Sequence, residues 1–137
     1  MKAVRIEAYG GPDVIALTDA DAREPAAGEV RVRNHAIGVN FIDVYHRTGL
    51  YKNTLPTGLG LEAAGVVEAI GGGVTRFAVG DRIVYASGPI GAYAEAHVVK
   101  DAQAVKLPDA ISFDVAAASL LKGMTARFLL RKTFRVE

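Results

Sequence analysis

Between Asn40 and Tyr51 the chain gathers an amide, a carboxylate (Asp43), two phenols (Tyr45 and Tyr51), an imidazole (His46) and a guanidinium (Arg47). An amide orients a ligand by donating and accepting hydrogen bonds. Phenols wall an aromatic ligand, or face an oxygen on which negative charge develops. The same residues have a plainer use, in which Asn40 and Asp43 cap a helix and the tyrosines simply pack. Composition and spacing leave both uses open. Glu62 stands between Leu61 and Ala63 at the head of an apolar run. A carboxylate there needs a partner if it is buried, or a place at an edge in contact with water.

Other chemistries are excluded or weakly supported. The chain has no cysteine, so it offers no disulfide, thiolate nucleophile, Cys-ligated zinc or iron–sulfur cluster. His35, His46 and His97 are widely spaced and lack the H-E-x-x-H helix pattern, which favours structural or surface roles and no metal site. Gly71-Gly72-Gly73 is followed by Val74-Thr75-Arg76-Phe77, a stretch without a helix signal. A phosphate cradle needs its glycines at a strand-to-helix turn, so this cluster reads as a hairpin or loop. Neither G-x-G-x-x-G nor G-x-x-x-x-G-K-[ST] occurs, so these residues carry no recognisable nucleotide-binding fold.

The elements that must position these groups follow from periodicity. With 137 residues, half of them apolar, the chain can bury one domain's core. Fifteen glycines and five prolines point to many tight turns. Strands are expected over residues 2–8, 14–19, 30–39, 63–70, 81–85 and 91–99, the last with Tyr93, Glu95 and His97 on one face. Residues 40–47 should form a short helix that Gly49 stops. Residues 50–60 read as an irregular loop. After Pro108, Ser112 is a candidate N-cap for an alanine-rich helix, and Gly123 separates it from a second helix reaching about Arg131.

The net charge of +1 gives no reason to expect nucleic acid or an anionic membrane as partner. Lys122, Arg127, Arg131, Lys132 and Arg135 nevertheless stand against Glu137 alone in the last sixteen residues. Arg127, Arg131 and Arg135 share one helix face, with Leu121, Met124 and Phe128 on another. That pattern reads as a solvated basic face behind an apolar stripe, or as a site for phosphate or an acidic partner. No stretch reaches the ~20 apolar residues of a membrane span, and the charged N-terminus is unlike a signal peptide. A soluble, cytoplasmic protein is the expectation.

Six segments, in order, carry a resemblance: Asn40-Phe41-Ile42-Asp43, Gly49-Leu50-Tyr51, residues 58–65 (GLGLEAAG), Val79-Gly80-Asp81-Arg82, Gly91-Ala92-Tyr93-Ala94-Glu95 and residues 117–125 (AASLLKGMT). Together they resemble the N-terminal part of a zinc-free medium-chain reductase of the NADPH:quinone oxidoreductase, zeta-crystallin-like subgroup. Zinc-dependent relatives place Cys-His where this chain has Asn40-Phe41, and Gly-His-Glu where it has Gly60-Leu61-Glu62. The resemblance therefore implies a metal-free site, and quinone reduction over alcohol oxidation.

The same resemblance implies a mainly β fold: a GroES-like, partly open barrel with short helices over residues 1–108. Residues 109–137 would be connecting helices leading into a Rossmann domain absent from this chain. It also implies hydride transfer from NADPH to a quinone or related conjugated carbonyl, in a parent that forms a homodimer. Asn40, Phe41, Ile42, Asp43, Val44, Tyr45 and Thr125 would then border the cofactor, with Tyr45 and Tyr51 beside the reacting substrate. An enoyl-type reductase of the same fold is the alternative. The 137 residues alone would be an inactive, non-catalytic barrel module.

Overall fold

A computed structural model describes residues 1–134. Arg135 and Glu137, part of the expected basic tail, lie outside the described residues. The strands form two antiparallel sheets. The smaller has the order β2-β1-β4, with β1 at Lys2–Ile6, β2 at Ala16–Asp19 and β4 at Thr57–Gly58. The larger has the order β7-β3-β5-β6-β8, with β3 at Glu29–Gly38, β5 at Glu62–Ile70, β6 at Arg82–Ala86, β7 at Ala96–Lys100 and β8 at Ala104–Lys106. The sheets meet at one edge: Val4 N donates to Tyr93 O at 2.7 Å and Glu95 N to Lys2 O at 3.0 Å. This narrow junction gives a mainly β, partly open barrel.

Burial explains the strand patterns. Val30, Val32, Ala63, Val67, Phe77, Ile83, Tyr85 and Val99 form the interior. Helix α2, at Phe113–Phe128, lies on the outside of the large sheet, where Ala116 and Ala117 pack with Ala64, Val84 and Leu107. The central strand β5 is thus covered on both faces, which is why Glu62, Ala63, Ala64 and Gly65 are all buried and no alternation appears. The start of α2 is pinned by Phe113, stacked on His35 at 4.7 Å and covered by the Arg82 guanidinium at 4.6 Å. Gly71-Gly72-Gly73 lies in the loop between β5 and β6, as expected of a turn.

The structure corrects several expectations. The strand expected from Gly91 begins only at Ala96. Residues 91–95 instead cross between the sheets, their amides donating to Gly60, Leu59, Ala92 and Lys2 carbonyls, and Asn34 Nδ2 secures them through Ala92 O at 3.1 Å and Ala94 O at 2.9 Å. The loop 50–60 contains the two-residue strand β4, because Thr57 and Gly58 pair with the edge of β1. Strand β8 was not anticipated; at three residues it is too short for a periodic signal and exists by pairing with β6.

Gly123 does not divide the C-terminal helix. α2 runs through it into a π-helical turn at Leu129–Thr133, since an interior glycine costs a helix only about 1 kcal/mol. From Gly123 onward the described residues of this segment are all exposed. Met124 and Phe128 therefore form no buried stripe; Phe128 is 60% exposed.

Candidate functional site

Helix α1, at Phe41–Thr48, follows directly from β3. Its start is set by Asn40 as N-cap, whose backbone N–H donates to Asp43 Oδ2 at 2.9 Å. Its end is set by Gly49, at φ +81°, a conformation that side chains rarely adopt. A Cβ there would also press on the Tyr9 ring. Tyr9 holds the following loop: its hydroxyl donates to Asn53 O at 2.6 Å and accepts from Asn53 N at 2.7 Å. Asn53 Nδ2 in turn donates to His46 Nδ1 at 2.8 Å.

This scaffold brings most of the expected site residues together. Phe41, Tyr45 and Tyr51 form a chain of edge-on rings, with centroids 5.3 Å apart at each step, and His46 meets Tyr51 at 5.8 Å. Phe41 is 71% and Tyr51 49% exposed, so the aromatic row is presented to solvent. Ile42 and Val44 are half-buried. Thr125 is not joined to this cluster by any hydrogen bond; its hydroxyl donates back to Leu121 O within α2, at 3.0 Å.

Asp43 is the one buried residue of α1. Besides Asn40, its Oδ2 accepts from the Tyr93 hydroxyl at 2.7 Å, and burial, then this carboxylate, pushes the Tyr93 phenol well above its ordinary range. Asp43 Oδ1 is buried without a partner. Glu62, at 0% exposure, is fully buried, which resolves the choice between core and edge. Its Oε2 accepts from Asn40 Nδ2 at 2.8 Å and Lys122 Nζ at 3.0 Å, and its Oε1 accepts from Leu121 N at 2.7 Å.

Tyr93 and Lys122 are the participants that sequence reasoning missed. Tyr93 reads as one residue of an alternating face, and Lys122 as part of a basic tail. The available signal was a carboxylate in an apolar run, which calls for a donor from elsewhere in the chain.

A cleft of about 280 Å³ runs beside this cluster, lined by Gly38 and Val39 at the end of β3 and by Asp114, Ala118 and Lys122 on α2. Among the described residues, no three His, Cys, Asp or Glu side chains gather as a metal site. No helix among them is long and apolar enough to cross a membrane.

Residues 26–109 match the alcohol dehydrogenase GroES-like domain. Over 137 residues the chain is 55% identical to a quinone oxidoreductase of Pseudomonas aeruginosa, covering 99% of this chain and 42% of that protein. It is 41% identical over 141 residues to a 2-haloacrylate reductase of a Burkholderia species, covering 98% of this chain and 42% of that protein. Among solved structures, that of Escherichia coli quinone oxidoreductase complexed with NADPH superposes with a TM-score of 0.98 at 46% identity, covering all of this chain and 42% of the other. The chain thus spans about two fifths of the length of the relatives it matches.

Proposed function

The chain belongs to the alcohol dehydrogenase GroES-like domain family, and from this we propose that it forms the substrate-side barrel of an oxidoreductase that reduces quinones with NADPH. The observation that carries the reading is the exposed row Phe41–Tyr45–Tyr51, rooted beside the N-cap amide of Asn40. A flat, electron-poor acceptor matches aromatic walls, and an orienting amide matches a nicotinamide carboxamide or ribose hydroxyl. The quinone oxidoreductase relatives at 49–55% identity support the same class.

The residues present fit the nicotinamide end of the cofactor. Asn40 offers an amide at the site, and Asp43 Oδ1 is an acceptor that the chain's own donors leave unmatched. When bound, NADPH supplies a hydride, and a solvent proton completes reduction of the quinone to the hydroquinone. Asn40, with Phe41 to Tyr45 behind it, would orient the ring. Thr125 would approach from α2 as an acceptor while its hydroxyl donates to Leu121 O, or as a donor by releasing that bond. Tyr45 and Tyr51 would hold the acceptor and exclude water from one side, and either phenol can face the developing oxyanion.

NADPH oxidation by the full-length protein, followed with small quinones and with activated enoates, tests this reading. Turnover with quinones supports it; no turnover with any quinone or enone overturns it. Preference for a halogenated or other activated acrylate would favour the enoyl-type alternative, which the 2-haloacrylate reductase relative supports. For the 137 residues alone we propose a non-catalytic module, because they contain no glycine-rich dinucleotide fingerprint. Nicotinamide fluorescence should then show affinity weaker than micromolar, that is, less than about 8 kcal/mol of binding energy.

A further inference from the structure

Glu62 has no part in the roles above, yet it is the most completely buried charged residue among those described. It spans two elements far apart in sequence: Asn40, at the head of α1, and Leu121 with Lys122, in the body of α2. The approach is built in. Gly38, the cross-strand partner of Glu62, leaves room where a Cβ would collide with both the Glu62 carboxylate and the Ala117 carbonyl of α2. The contact to α2 is also unlike ordinary helix chemistry, because a mid-helix N–H normally serves the carbonyl four residues back.

A carboxylate is an acceptor only, so whatever faces it must donate. Asn40 must therefore turn its NH₂ toward Glu62 and its carbonyl oxygen away. We propose that Glu62 is a positioning residue that sets which way the Asn40 amide faces and ties that setting to α2 through Leu121 N and Lys122 Nζ. It acts on the reaction only through Asn40, and this role rests on the reading that Asn40 contacts the nicotinamide end of NADPH. Displacing α2 relative to the barrel would then change the amide presented to the cofactor.

Two measurements on the full-length protein test this. In spectra of protein labelled with ¹⁵N-asparagine, the Asn40 side-chain resonances should shift in Glu62→Gln and also in Lys122→Met, without any ligand. Lys122 is half-exposed, so its variant keeps the experiment open if Glu62→Gln fails to fold. In NADPH-dependent turnover, Glu62→Gln should lower kcat/KM about tenfold or more, the scale of a misoriented positioning group. Asn40→Ala and the double variant should match within about twofold, because residues acting as one unit are non-additive. Unmoved Asn40 resonances in both variants, or losses that multiply in the double variant, overturn the proposal. Absence of any turnover by the unmodified protein overturns the functional reading instead, and the spectra still decide the role of Glu62.

Discussion

The Tyr93 hydroxyl donates to Asp43 Oδ2 across 2.7 Å, joining the segment that stitches the two sheets to the first turn of α1. The residues lie fifty positions apart, and the bond makes the orientation of α1 depend on the closure of the barrel edge. Asp43 Oδ1 already lacks a partner, so the carboxylate has little to spare. Tyr93→Phe should cost about 1–3 kcal/mol, as expected for removing a hydrogen bond to a buried charged group. Urea denaturation checks this; a change below about 0.3 kcal/mol would show that α1 is held by other means.

Two glycines should respond in opposite directions to the same change. Gly38→Ala places a methyl against the Ala117 carbonyl and the Glu62 carboxylate, and backbone cannot yield cheaply, so a loss of about 1–3 kcal/mol is expected. Gly123→Ala enters open space in the interior of α2 and should gain about 0.5–1 kcal/mol. Chemical denaturation of the pair decides it, and a stabilised Gly38→Ala would contradict the close approach of α2 to β3.

Stability should fall as pH drops below neutrality, in part through His97. Burial holds its pKa below the ordinary 6.5, opposed by its bond to the Pro89 carbonyl at 2.9 Å. Between the lowered folded value and 6.5, the unfolded chain binds a proton that the folded chain refuses. The contribution is therefore full above 6.5 and is lost as pH falls through that window. His97→Gln should flatten the decline of Tm between about pH 7 and 5. An unchanged slope would assign the decline to other groups.

The aromatic row can act as a wall or as a source of hydroxyls, and substitution separates the two. If Tyr45 and Tyr51 serve as walls, the phenylalanine variants keep kcat/KM within about threefold, while Tyr51→Ala raises KM for the quinone about tenfold. If a phenol faces the oxyanion, one phenylalanine variant instead loses kcat by about tenfold or more with KM unchanged. Steady-state kinetics of the full-length protein would show which holds. No effect from any of the three variants would remove Tyr51 from the site and would leave Tyr45 no role as a hydroxyl.

Helix α1 was legible residue by residue: a capping Asn40, a carboxylate at Asp43, aromatic residues at spacing four, and Gly49 as the stop. Those signals act over one or two turns, and nothing distant competes with them. The edges of the sheets were less legible. β8 exists because β6 offers it an edge. Residues 91–95 alternate like a strand, yet their amides serve the loop carbonyls of Leu59 and Gly60, Ala92 of their own segment and Lys2 of the smaller sheet. In α2, Gly123 carries a local stop signal that an otherwise continuous helical ladder overrides.

By itself, the sequence determined that Asn40, Tyr45 and Tyr51 share one short segment, that Glu62 needed either a partner or an edge in contact with water, and that no cysteine chemistry was available. Only the tertiary structure decided that this partner would be Asn40 together with Lys122, twenty-two and sixty positions away, and that Asp43 would be met by Tyr93. The physical reason is range. Capping, turns and hydrophobic period are settled among neighbours in the chain. The donors that reach a buried carboxylate are selected by strand register and by how closely a helix can approach a sheet, here through the missing side chain of Gly38.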